Sequence, residues 1–137
     1  MKKIQMMFAV VLVAFMAMAV QSCGSDKDDN QRYTIEMSLK IDEPGKLTTE
    51  ECQALIMATN QKSSASDRAD DKAAEQATQY AAQLIAEAFQ MDKEKDLYGD
   101  AVMTCTVECK RVSNNQRVAI YYVTYNKGVI TTTNGKN

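Results

Sequence analysis

The chain predicts an α+β fold, and three patterns carry that prediction. A strictly alternating apolar–polar segment begins at Tyr33, two segments with helical spacing follow between Thr48 and Lys95, and two further alternating segments run from Ala101 to Tyr125. Strands repeat every two residues and helices about every 3.6, so the order is strand, helix, helix, strand, strand. Such a chain buries its apolar faces by laying both helices on one face of an antiparallel sheet.

The first strand is expected over 33–41, where Tyr33, Ile35, Met37, Leu39 and Ile41 alternate with Thr34, Glu36, Ser38 and Lys40. Pro44-Gly45 then turns the chain. A helix opens at Leu47-Thr48-Thr49-Glu50-Glu51-Cys52: Thr48 caps the free amides, Glu51 completes a capping box, and Leu47 staples onto Cys52. Cys52, Leu55, Ile56 and Thr59 form its inward stripe, which fades near Asn60.

Residues 62–66 form a polar connector. Asp67, Asp70 and Asp71 then put negative charge at a second helix start, with Lys93 and Lys95 at its end, both favoured by the helix dipole. Ala73, Ala77, Tyr80, Ala81, Leu84, Ala88 and Met91 recur at three- and four-residue steps as its apolar stripe. The small alanines allow close packing on the sheet; left exposed, the same stripe would recruit a partner protein.

After Tyr98-Gly99-Asp100, residues 101–111 alternate with Met103, Cys105, Val107 and Cys109 on one face. Asn114-Asn115 suits a two-residue hairpin turn, which pairs position i with 229 − i and sets Cys109 against Ile120, Val107 against Tyr122 and Cys105 against Thr124. Tyr121, Val123 and Tyr125 then fall on the face away from the helices, as a contact surface for glycan, peptide or another subunit. Their β-propensity alone is the competing explanation. Asn126-Lys127-Gly128 can form a second tight turn, making residues 129–133 a short fourth strand.

The 137 residues include no histidine and no tryptophan. Without histidine the usual proton shuttle is missing, and no nucleophile-elbow, phosphate-loop or dinucleotide-binding pattern occurs. A carboxylate-based hydrolase remains the only enzymatic alternative, and no catalytic residue or cofactor is assigned. The absence of basic runs and of basic–aromatic alternation argues against nucleic acid. Cys52, Cys105 and Cys109 are read either as small buried side chains or as containing a Cys52–Cys105 bridge. Cys105 and Cys109, about 13 Å apart along a strand, exceed the roughly 7 Å limit for bonding each other. Zinc is unsupported for the same reason, so no metal site is assigned.

The start of the chain gives an address. Lys2 and Lys3, the apolar run from Met6 to Val20, and Ser22 make the three parts of a secretory signal. The run is shorter than the about 20 residues of a spanning helix and lacks a basic stop-transfer cluster. Val20-Gln21-Ser22-Cys23 resembles the lipobox of bacterial lipoproteins, with Gln21 where a smaller residue is usual. The resemblance implies cleavage after residue 22 and lipidation of Cys23, with two or three acyl chains as a stable anchor.

Gly24-Ser25-Asp26-Lys27-Asp28-Asp29-Asn30-Gln31 has no apolar residue, so residues 23–32 read as lipidated cysteine and solvated tether. Its acidic cluster resembles the surface-export signal of lipoproteins from Bacteroidota, which implies the outer face of the outer membrane; a periplasm-facing linker is the alternative. Calcium binding through Asp26, Asp28 and Asn30 is excluded, because Gln31 and Met37 stand where an EF-hand loop needs glycine and glutamate. The remaining 115 residues carry 14 basic and 18 acidic side chains, a single-domain length with a polar tail at 134–137. These observations lead to a lipid-anchored envelope protein with a non-catalytic binding or accessory role toward an envelope protein or glycan. A structural or inhibitory envelope protein is the alternative.

Overall fold

A computed structural model describes residues 31–63, 66–68 and 70–135. The lipobox with Cys23, the signal segment and nearly all of the tether lie outside the described residues. The alternating first segment forms β1 (Gln31–Glu43), with Tyr33, Ile35, Met37 and Leu39 buried and Glu36, Ser38 and Lys40 exposed. α1 (Thr49–Thr59) follows and carries the expected capping box: the Glu51 N–H donates to Thr48 Oγ1 at 3.1 Å, and the Thr48 N–H to Glu51 Oε1 at 2.9 Å. It lies against β1 through buried Leu55 and Thr59, with Cys52 and Ile56 partly buried beside them.

The polar connector instead continues the sheet. β2 (Gln61–Lys62) and β3 (Ser66–Arg68) both pair antiparallel with β1, β2 at Glu36–Met37 and β3 at Gln31–Tyr33. Side chains complete this broken edge: the Ile35 N–H donates to Ser63 Oγ at 2.9 Å, and the Leu39 N–H to Asn60 Oδ1 at 3.0 Å. The polar composition that read as a loop is what an exposed edge requires.

α2 (Asp71–Glu94) is capped by Asp70, whose Oδ1 accepts from the Ala73 N–H at 2.9 Å. It lies chiefly over β5 (Arg117–Asn126), flanked by β4 (Val102–Arg111) and β6 (Val129–Asn134). Its buried arc is Ala74, Thr78, Ala81, Ala82, Ile85, Ala88, Phe89 and Asp92, so the predicted stripe is rotated: Ala81 and Ala88 are in it, whereas Tyr80 and Met91 are exposed. Two polar residues concealed the true arc. Thr78 Oγ1 donates to the Ala74 carbonyl at 2.8 Å, and Asp92 accepts from the Tyr98 hydroxyl, so both enter the core with a partner.

The sheet order is β2-β1-β4-β5-β6, with β3 also on β1, and the expected fourth strand is present as β6. All pairings are antiparallel. β1 and β4 align Ile35 with Cys109, Met37 with Val107 and Leu39 with Cys105. At the other side of β4 the hairpin register differs from the expected one. Cys109 faces Ala119, Val107 faces Tyr121 and Cys105 faces Val123, and the register shifts between Cys109 and Lys110. Five residues, 112–116, connect the strands instead of a two-residue turn. The Arg111 N–H bonds Gln116 O at 3.0 Å, the Asn115 N–H bonds Arg111 O at 2.9 Å, and Asn115 takes the left-handed conformation (φ 58°). The Gln116 N–H adds a bond to Asn114 Oδ1 at 3.0 Å. A one-residue slip exchanges the two faces of a strand. Tyr121, Val123 and Tyr125 therefore face α2 and are buried, while Ile120, Tyr122 and Thr124 turn to the other face.

One end of the sheet is pinned at residues 98–101. The Lys46 N–H donates to Tyr98 O at 2.9 Å, and the Lys127 N–H to Ala101 O at 3.0 Å, so the β1–α1 and β5–β6 turns both rest on the segment entering β4. Gly45 makes this possible: its φ is +58°, and a Cβ there would lie 2.3 Å from Tyr98 O and 2.4 Å from the Ala101 nitrogen. Gly45→Ala is expected to lower the unfolding free energy in urea by about 3 kcal/mol or more. Gly128→Ala, whose Cβ would meet only the Lys93 side chain at 3.7 Å, should cost about 1 kcal/mol through its φ of +93°. Equal losses at the two sites would overturn this account of the turn.

Candidate functional site

Both helices cover the same face of the sheet, because the buried side chains of β1, β4 and β5 lie on one side of their shared register. The opposite face has no covering element among the described residues. Cross-strand rows there run Lys62, Glu36, Glu108, Ile120; then Ser38, Thr106, Tyr122, Thr133; then Lys40, Thr104, Thr124, Thr131. The outcome is a hydroxyl-rich surface with one aromatic ring. Tyr122 leans over Gly135, where an added Cβ would lie 2.3 Å from the ring, and Gly135 is held by its N–H on Ile120 O at 2.9 Å.

A shallow depression of about 250 Å³ opens on the β2 side of this face. Glu36, Ser38, Lys62, Thr106 and Glu108 line it, with Asn60 and Gln61 at the edge. Glu36 and Glu108 are direct cross-strand neighbours, an arrangement that repels unless compensated. Glu108 is compensated: Arg117 Nε donates to it at 2.7 Å, and Lys110 Nζ lies 3.8 Å away. Glu36 is exposed and faces Lys62 in the register on its other side. The depression thus offers one open carboxylate, one ammonium and several neutral donors and acceptors, a lining for polar groups rather than for an apolar ligand.

The sequence-predicted sites are distributed differently. Tyr121, Val123 and Tyr125, at 5%, 0% and 2% exposure, form no contact surface; they are core residues beneath α2. Cys52 and Cys105 are not bridged: Cys105 is fully buried on β4, Cys52 is half-buried on α1, and Cys109 is also a free buried thiol. Burial pushes the Cys105 thiol up to about 12 and raises Cys109 and Cys52 as well, which keeps these sulfurs in their unreactive protonated form. Cys23 lies outside the described residues. No group of three or more His, Cys, Asp or Glu side chains that could hold a metal ion occurs among the described residues, and no helix among them is long and apolar enough to cross a membrane.

Two polar clusters escaped the sequence. Asp71, the first residue of α2, accepts from the Tyr33 hydroxyl at 2.6 Å and is held by both Nε and a terminal nitrogen of Arg111, joining β1, α2 and β4. Burial and the neighbouring Asp71 raise the Tyr33 hydroxyl pKa, while Asp71 raises that of Arg111. The second cluster is Asp92, fully buried, with Oδ2 on the Tyr98 hydroxyl and Oδ1 without a hydrogen-bond partner. Burial lifts its carboxyl from 3.8 to about 6, against the opposing effect of the Tyr98 bond. Asp92 has no access to the open face, and its neighbours are aromatic: Tyr98 packs edge-on against Phe89 (centroids 6.2 Å apart) and Tyr125 (5.1 Å). It is a structural carboxylate. Comparison with protein-family models, curated proteins and solved structures finds no match to this chain.

The raised Asp92 pKa has a definite sign. Between 3.8 and about 6 the folded state binds the proton that the unfolded state has lost, so stability from this group is fully present below 3.8 and falls as pH rises through about 6. The loss amounts to about 3 kcal/mol. Urea denaturation from about pH 4 to about pH 7 should show this component, and Asp92→Asn should remove it. An unchanged pH profile in the variant would refute the assignment.

Proposed function

We propose that this chain is a lipid-anchored lipoprotein of the bacterial cell envelope that acts by non-catalytic binding, with the helix-free face of its sheet as the binding surface. The observation that carries the binding reading is the one-sided packing: the helices cover one face and leave the other, with Tyr122 and its rows of threonines, open beside a polar depression. Threonine, serine and amide groups at fixed strand spacing can exchange hydrogen bonds with a glycan or with an extended polar segment of an envelope protein, and the Tyr122 ring adds an apolar contact. The anchor reading rests on Lys2-Lys3, the apolar run and Val20-Gln21-Ser22-Cys23, and the outer-surface reading on the acidic residues 26–29.

A carboxylate hydrolase is less well supported. Among the described residues the carboxylate pair on the open face is Glu36 with Glu108, and Glu108 is already engaged by Arg117 and Lys110. A purely structural role accounts for Asn60 and Glu108 in the lining of the depression, which bond the Leu39 N–H and Arg117, but not for exposed Glu36 and Lys62 beside them.

Two experiments test the proposal. Labelled palmitate should enter the wild-type chain and not Cys23→Ala; equal labelling would sink the anchor. A photo-crosslinking amino acid at Thr106 or Tyr122 in intact cells should capture a partner, whereas the same group at exposed Glu87 on α2 should not. Capture confined to Glu87 would move the binding surface to the helices.

A further inference from the structure

We infer that β6 is a pairing edge through which two copies of this chain join into one continuous sheet. The two sheet edges are built in opposite ways. On the β1 side the edge is divided into β2 and β3, carries Lys62, Asp67 and Arg68, and has β1 amides taken up by Ser63 and Asn60. Short, charged, interrupted strands resist further pairing. β6 has none of these features. Its six residues, Val129, Ile130, Thr131, Thr132, Thr133 and Asn134, carry no charge and no proline, and they pair with β5 without a register shift.

The bond from the Gly135 N–H to Ile120 O sets the alternation along this strand. Asn126 pairs with Val129, Thr124 with Thr131 and Tyr122 with Thr133, so Val129, Thr131 and Thr133 turn their backbone groups toward β5. Ile130 and Thr132 direct theirs to the open edge, where no strand lies among the described residues. An edge strand that is uncharged, regular and β-branched offers such groups as a template for another strand.

Charge selects a second copy as the partner. α2 runs beside β6 with Glu75 near Tyr121, whose hydroxyl it affects, and Lys93 against Gly128, 3.7 Å from an added Cβ. Tyr121 pairs with Asn134 at one end of β6, while Gly128 precedes the other end. Neither Glu75 nor Lys93 is ion-paired among the described residues. An antiparallel β6–β6 pairing about a two-fold axis brings the Glu75 end of one copy to the Lys93 end of the other, twice. The two α2 helices then stand three strand spacings apart, about 14 Å, a gap suited to long charged side chains. The uncovered threonine face continues across the junction.

Sedimentation of the full chain in detergent, with the protein mass separated from that of the micelle, tests this. The wild type should show a monomer–dimer equilibrium. Thr132→Pro removes one open-edge N–H and leaves the β5 ladder intact, so it should abolish the dimer with an unchanged circular-dichroism spectrum. Lys93→Glu should weaken association about 5-fold through two like-charge contacts, and Glu75→Lys combined with Lys93→Glu should restore it. A monomeric wild type, or a dimer indifferent to both Thr132→Pro and the charge reversal, would overturn the inference.

Discussion

Tyr98 is the point on which the arrangement of sheet and helices depends. Its ring lies fully buried between Phe89 of α2 and Tyr125 of β5, its hydroxyl donates to Asp92 at the end of α2, and its carbonyl accepts from Lys46 beyond the first turn. One residue thus fixes the exit of the long helix, the height of β5 beneath it and the turn that leads into α1. The cost is a carboxylate in an apolar surrounding, whose proton affinity burial raises against the opposing effects of the Tyr98 bond and the Lys95 charge. Removing the aromatic contacts would free α2 at its C-terminal end, while the Asp71 clamp to Tyr33 and Arg111 would still hold the other.

That two-point fixation explains why the hairpin register matters so much. With α2 held over β5, the strand must offer its larger side chains upward, and Tyr121, Val123 and Tyr125 do so. The alternative parity would have sent Ile120, Tyr122 and Thr124 under the helix, with one tyrosine in place of two and without the edge-on contacts that Tyr125 makes to both Phe89 and Tyr98. The shift between Cys109 and Lys110, together with the five-residue connection, supplies the single-residue slip that aromatic packing requires.

Most of the architecture was legible, and the failures share a cause. β1 and the capping box were readable because each has only one low-energy interpretation: strict alternation in the strand, and a threonine followed three residues later by glutamate in the helix. β5 had no such property, since both of its parities are largely apolar or aromatic and only tertiary packing distinguishes them. α2 misled in the same way. Its apolar arc spans more of the helix than the sheet covers, and Thr78 and Asp92 looked like surface residues until their partners were visible. At the candidate site, Tyr121, Val123 and Tyr125 were chosen by a register one residue out, while Tyr122, Glu36 and Glu108 become neighbours only through pairings between distant segments.

The open face and the open edge are consequences of the same packing. A sheet in which β1, β4 and β5 are largely buried on one side can leave the other side to solvent only if that side is wettable, and threonine satisfies both demands, being β-branched yet hydroxylated. The same residue type then fills β6, where it costs little as long as the strand remains at the margin. Had solubility alone shaped this margin, lysine or a bulge would stand there, as charged residues and a break stand at the β2–β3 side. A margin that is wettable, uncharged and regular differs from both a protected edge and an apolar core strand. It fits a surface made to meet another strand, and the threonine face beside it would be extended rather than interrupted by that meeting.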